Sequence, residues 1–153
     1  MLGFETVESG VSEAARTLND FRKDIDVLNH ESVTFSNLSL DDQLIDAYRE
    51  ASQPDWDGQG STAVSPATLQ LAKKFVESLP RKYQTPEIAP EPDGHVNLEW
   101  YNGKRRLLSV SVNPDGRLHW AALIGGEDPR GSCVFFGEAP KTLLHLLRRV
   151  CRG

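Results

Sequence analysis

Val96-Asn97-Leu98-Glu99-Trp100-Tyr101-Asn102-Gly103 marks the point from which the fold can be read. Up to about residue 80 the apolar residues recur at helical spacing. Here they alternate, which is the pattern of a half-buried strand. Leu108, Val110 and Val112 then alternate with Ser109 and Ser111, and Leu118, Trp120, Ala122 and Ile124 alternate with His119 and Ala121. Asn102-Gly103 and Asn113-Pro114-Asp115-Gly116 separate these runs and are both hairpin signals. A further strand, Ser132–Phe136, follows the loop from Gly125 to Gly131, and a shorter one near Pro86–Pro90 precedes the meander. Residues 85–137 are therefore expected to form a four- or five-stranded antiparallel sheet.

Register follows from keeping the apolar sets together. A turn with Pro114-Asp115-Gly116 at its tip pairs Asn113 with Arg117, so that Val112 faces Leu118, Val110 faces Trp120 and Leu108 faces Ala122. A two-residue Asn102-Gly103 turn would set Leu98 against Leu107 and place Val96 opposite Ser109. Because a one-residue slip exchanges the faces of a strand, the core asks for Leu98 opposite Leu108. A three-residue loop or a bulge is expected around Gly103–Arg105.

Upstream, Ser39-Leu40-Asp41-Asp42 opens a helix with acids in its first turn, which ends near Ser52 because Pro54 disfavours helix before it. Ser65-Pro66 opens another, with serine as cap and proline where its missing N–H is harmless. Leu69, Ala72, Phe75, Val76 and Leu79 form its apolar stripe, and Pro80 stops it. Val11, Ala14, Leu18, Phe21, Ile25 and Leu28 give residues 11–28 a helical period, and residues 30–38 read as an extended link. Pro140 begins a last helix carrying Leu143, Leu144, Leu147 and Val150. The expected architecture is α+β, with N-terminal helices on one face of an antiparallel meander and a closing C-terminal helix. Residues 1–153 are read as one domain: a helical extension (1–40), a helix-loop-helix (41–80), the sheet (85–137) and the C-terminal helix (139–151).

Composition narrows the function. The chain has 153 residues, 39% hydrophobic, enough for a core without disulfides or a structural metal. No apolar run approaches the roughly 20 residues of a membrane helix, so no membrane association is expected. Met1-Leu2-Gly3-Phe4-Glu5 does not open a secretory signal. With two cysteines, Cys133 and Cys151, and no CxxC spacing, a cytoplasmic protein with reduced thiols is expected. Residues 1–80 hold 14 acids and 6 bases and residues 81–153 hold 8 acids and 11 bases, giving −8 and +3 within a net charge of −5. That layout argues against a general nucleic-acid binder, although Lys104, Arg105, Arg106 and Arg117 are basic positions at the turns of the sheet.

Three places carry candidate chemistry. The second face of the sheet is expected to hold His95, Ser111 and His119 abreast, then Asn97, Ser109 and Ala121, then Glu99, Leu107 and Leu123, with Tyr101 and Arg105 at the sheet end. Two histidines beside a serine can serve a nucleophile or a metal, but the row has no acidic orienter and an open sheet excludes water poorly. Leu107 and Leu123, with Ala121 and the stems of Arg105 and Arg117, make an apolar strip rimmed by polar groups, which is either the pattern of a partner surface or a strip that the N-terminal helix or the 30–38 segment folds over and buries. The loop Pro54-Asp55-Trp56-Asp57-Gly58-Gln59-Gly60-Ser61-Thr62 holds a large ring among aspartates and glycines, and such a ring must dock somewhere. Asp55, Asp57 and Gln59 sit at alternate positions like calcium ligands, but the glutamate a calcium loop needs is replaced by Pro66. No phosphate-binding glycine loop occurs, and neither cofactor nor metal is expected.

Trp56-Asp57-Gly58-Gln59-Gly60-Ser61, the Ser65-Pro66 helix start and Pro92-Asp93-Gly94-His95-Val96-Asn97-Leu98-Glu99-Trp100 together resemble a family of small bacterial proteins. In that family a W-D-G-x-G-A-like loop precedes a helix and a D-G-x-V-x-L-E-W strand. The resemblance spans about residues 54–150, with Ser61 where the family often has alanine, and it brings no catalytic residue. Members are similar to proteins of mobile elements and host-conflict gene neighbourhoods, which implies a partner-binding role. The leading expectation is a non-enzymatic protein-binding module: a toxin neutraliser, an immunity protein or a phage counter-defence inhibitor. Its partner would be another protein, or a second copy of the chain, held through Trp56, Asp57, Tyr101, Arg105, Leu107, Arg117, His119 and Leu123. The alternative is a small hydrolase or nuclease using His95, His119 and Glu99.

Overall fold

A computed structural model describes residues 39–151. The expected 11–28 helix and the 30–38 link lie outside the described residues. Helix α1 (Leu40–Ala51) and helix α2 (Pro66–Ser78) lead into strands β1 (Glu87–Pro90), β2 (Val96–Tyr101), β3 (Arg106–Val112), β4 (Arg117–Ile124) and β5 (Arg130–Val134), and helix α3 (Lys141–Val150) closes the chain. The five strands form one antiparallel sheet in sequential order. The fold is α+β, as the change of period indicates.

Helix starts follow their caps. Ser39 Oγ accepts from the Asp42 N–H at 3.2 Å, and Ser65 Oγ from the Thr68 N–H at 3.2 Å with Pro66 at the first helical position. Both satisfy donors that a helix N-terminus leaves open. Pro140 is itself the N-cap of α3, without a side-chain bond, and the helix proper begins at Lys141. At the other end of α3, Asn102 Nδ2 donates to the Val150 carbonyl at 3.1 Å and so ties that helix to the first hairpin.

The sheet buries one face. Val96, Leu98, Trp100, Leu108, Val110, Val112, Leu118 and Ala122 join Leu44, Leu69, Phe75, Leu143 and Leu147 in a single apolar core. Helix α1 packs on β1, α2 on β2 and β3, and α3 on β2, β3 and β4. Phe75 meets Trp100 and Phe135 edge to face, with centroids 6.5 and 5.6 Å apart, a favoured aromatic geometry. The Trp100 indole N–H donates to the Gln84 carbonyl at 2.9 Å, so the buried ring leaves no donor unpaired.

The β3–β4 register is the expected one: Val112 with Leu118, Val110 with Trp120, Leu108 with Ala122. Pro114-Asp115-Gly116 forms the tip, with Gly116 at φ 86° and the Asn113 N–H donating to Arg117 O at 2.9 Å. The expected three-residue loop Gly103–Arg105 is also present, closed by the Asn102 N–H on Arg106 O at 2.9 Å. Its consequence differs from the expected pairing: Leu98 faces Val110, and Leu108 faces Trp100. Keeping the apolar face inward fixes the parity of β2 but not a two-residue slide, since Leu108 and Val110 are equally acceptable neighbours. Strand β5 covers Arg130–Val134 rather than Ser132–Phe136. It pairs Gly131 with Trp120, and a Cβ at Gly131 would lie 2.4 Å from Trp120 Cζ2.

Candidate functional site

The face of the sheet away from the helices is open among the described residues. Its rows follow the register. Tyr101, Leu107 and Leu123 lie directly across from one another at one end. Next come Glu87, Glu99, Ser109, Ala121 and Arg130, then Ala89, Asn97, Ser111, His119 and Ser132, and finally Arg117 opposite Val134. Tyr101 is 62% exposed and Leu123 43%, while Leu107 between them is half-buried. An apolar row at the end of a polar face is therefore a property of the pairing itself. Val134 is exposed at the other end, and Phe136 just past β5 is 88% exposed.

The two-residue slide of β2 alters the expected rows. Asn97, not His95, stands abreast of Ser111 and His119, and Glu99 stands beside Ser109 and Ala121. Tyr101, not Glu99, completes the row of Leu107 and Leu123. His95, His119 and Glu99 do not converge: His119 Nε2 lies 3.3 Å from Asn113 Nδ2, whereas His95 turns to other partners. Arg105 sits in the β2–β3 loop at φ 61°, its Nε–H donating to Gly125 O and its carbonyl accepting from Gly125 N–H at 3.0 Å. The loop is thereby fastened to the β4–β5 connection.

Trp56 and Asp57 stand apart from this face, in the connection between α1 and α2. Trp56 is half-buried against the core and its indole N–H donates to Thr62 O at 3.1 Å. Asp57 Oδ1 accepts from Gln59 N–H at 2.8 Å and from Ser61 N–H at 3.3 Å, and Asp55 Oδ1 accepts from Gly60 N–H at 2.6 Å. The Gln59 N–H first, then the Ser61 hydroxyl and N–H, hold the Asp57 carboxyl below its ordinary value. Both aspartates thus direct an oxygen to their own loop.

This loop docks on the second motif. Thr62 N–H donates to Pro92 O at 2.7 Å. Gly94, at φ 87°, lies so close that a Cβ there would be 3.0 Å from Thr62 Cγ2 and 3.2 Å from Ala63 O. The W-D-G-x-G-S loop and the D-G-H-V-N-L-E-W strand, about 35 residues apart in sequence, are one contact in the fold.

Sequence reasoning missed what the turn does in front of that contact. Glu91, Asp93 and His95 converge there, one ligand atom of each within 4.8 Å of the others. The Ser111 hydroxyl reaches in from β3, donating to Glu91 Oε2 at 2.5 Å and lying 3.3 Å from His95 Nδ1. The alternation E-x-D-x-H across a Pro-Asp-Gly turn is the signal that could have exposed this grouping. Cys133 and Cys151 are free, and burial pushes both thiols above their ordinary value, with the Arg117 charge opposing this at Cys133. Both therefore stay protonated at neutral pH.

Comparison with protein-family models, with curated proteins and with solved structures finds no match to this chain. Among the described residues, no helix is long and apolar enough to cross a membrane. The functional reading rests on the residues themselves.

Proposed function

We propose that the protein is a non-enzymatic binding module that holds another protein against the open face of its sheet. The observation that supports this is the Tyr101–Leu107–Leu123 row, three large apolar side chains aligned across three strands with no described element packed on them. Tyrosine at such a site offers a large rigid surface with a polar tip, the composition that interface centres favour. Arg117 and His119 extend the surface toward Val134, and Arg105 borders it from the fastened loop. Trp56 and Asp57 act behind this surface, as the support of their own loop. A toxin neutraliser, an immunity protein or a phage counter-defence inhibitor are roles that such direct binding would serve.

Affinity capture from cell extract, run in parallel with wild type and the Tyr101→Asp/Leu123→Asp variant, tests the reading. A partner recovered with wild type should be lost with the variant while the melting temperatures agree. Recovery of the same partner by both proteins would refute the assignment of the surface.

A further inference from the structure

We infer that the β1–β2 turn is a binding site for a divalent transition-metal ion of the zinc type, with Glu91, Asp93 and His95 as ligands. The inference is independent of the proposed function. It begins with how the turn brings alternate residues together. Glu91 N–H donates to His95 O at 2.9 Å, and Gly94 N–H to Glu91 O at 3.0 Å, with Gly94 at positive φ. This closes Glu91-Pro92-Asp93-Gly94-His95 so tightly that three side chains two apart in sequence share one side.

The separations suit one ion. His95 Nδ1 lies 3.3 Å from Asp93 Oδ2 and 3.9 Å from Glu91 Oε2. Donors bound at 2.0–2.1 Å in a tetrahedral shell stand about 3.4 Å apart. The imidazole and Asp93 already have that spacing, and Glu91 lies slightly farther from the imidazole. Two carboxylates give a charge of −2 for a dication to meet. The imidazole nitrogen favours zinc over calcium, magnesium and manganese, which prefer an oxygen shell.

The ligands are also held from outside. Asp93 Oδ1 accepts the His95 backbone N–H at 3.1 Å, which leaves Oδ2 toward the imidazole. Ser111, on a different strand, holds Glu91 by donating to its Oε2. Behind the turn, Thr62 bonds the Pro92 carbonyl and abuts Gly94. Such supporting contacts orient ligands and raise affinity.

The test uses the full chain, freed of metal with a chelator and titrated with Zn²⁺ against a chromophoric competitor at neutral pH. One ion per chain is expected. His95→Ala and Asp93→Asn should each weaken binding at least about tenfold, and Ser111→Ala by roughly tenfold, the loss usual when a supporting group is removed. His145→Ala, on the exposed side of α3 and outside the cluster, should bind as wild type does. The site is refuted if wild type shows no saturable binding, or if both His95→Ala and Asp93→Asn, folded by circular dichroism, keep wild-type affinity.

Discussion

Trp56 holds its loop in two ways, with a ring half-buried against the core and an indole N–H on Thr62 O. Trp56→Ala is expected to lower stability by about 2 kcal/mol, below the loss for a fully buried aromatic ring, as read by urea denaturation. At the point where the loop meets the β1–β2 turn, Gly94 takes a conformation and a closeness that a side chain resists. Gly94→Ala should cost about 1–2 kcal/mol for the left-handed backbone alone, with contact against Thr62 adding to it. Asp57 gives a pH-dependent counterpart. Its carboxyl is depressed in the folded state by backbone donors. Its contribution is therefore fully present above the ordinary value of 3.8 and is lost as pH falls through the lower folded value. Denaturation of wild type and Asp57→Ala should differ near neutrality and converge on acidification below that range. A gap that stays constant with pH would contradict this.

At the scale of elements, the two edges of the sheet are treated differently. Gln43 of α1 donates to Pro86 O at 2.9 Å and accepts from Ile88 N–H at 2.8 Å, so a side-chain amide stands in for a neighbouring strand at β1. That arrangement blunts the edge against association. Within the open face, Glu87 and Glu99 stand directly opposite each other on β1 and β2. Like charges so placed destabilise, and Glu87→Lys should raise stability by roughly 0.2–1 kcal/mol. Gly131→Val belongs to the same scale. The added side chain would strike the Trp120 ring, and a loss of about 1–3 kcal/mol is expected from overpacking. Legibility divides along these lines. The β3–β4 hairpin could be read because its turn and its apolar sets agree, whereas β2 slid by two residues because either pairing keeps Leu98 and Trp100 inward. The limits of β5 were hidden because Gly131 and Ser132 interrupt any alternation there. The open apolar row was half legible: Leu107 and Leu123 were placed together, and the slide brought in Tyr101. The Glu91–Asp93–His95 grouping was not, because it depends on the closure of one turn rather than on a period.

At the scale of the whole molecule, helices and core of the described residues occupy one side of the sheet and the apolar row the other. From Arg117 to Leu123 the open face extends about 20 Å along β4, at 3.3 Å per residue, and its five strands span about 19 Å across. A stable interface buries about 800 Å² per partner, more than this flat footprint of about 400 Å². A partner would therefore continue over the rim, where Phe136 and the β2–β3 loop lie. The proposed binding mode requires that the open face be accessible in the free protein and covered by the partner. Hydroxyl-radical footprinting of the full chain, alone and with its captured partner, measures this at Tyr101 and Leu123. Both residues should be readily oxidised in the free protein and protected in the complex. Protection already present in the free protein, or oxidation unchanged in the complex, would contradict the account.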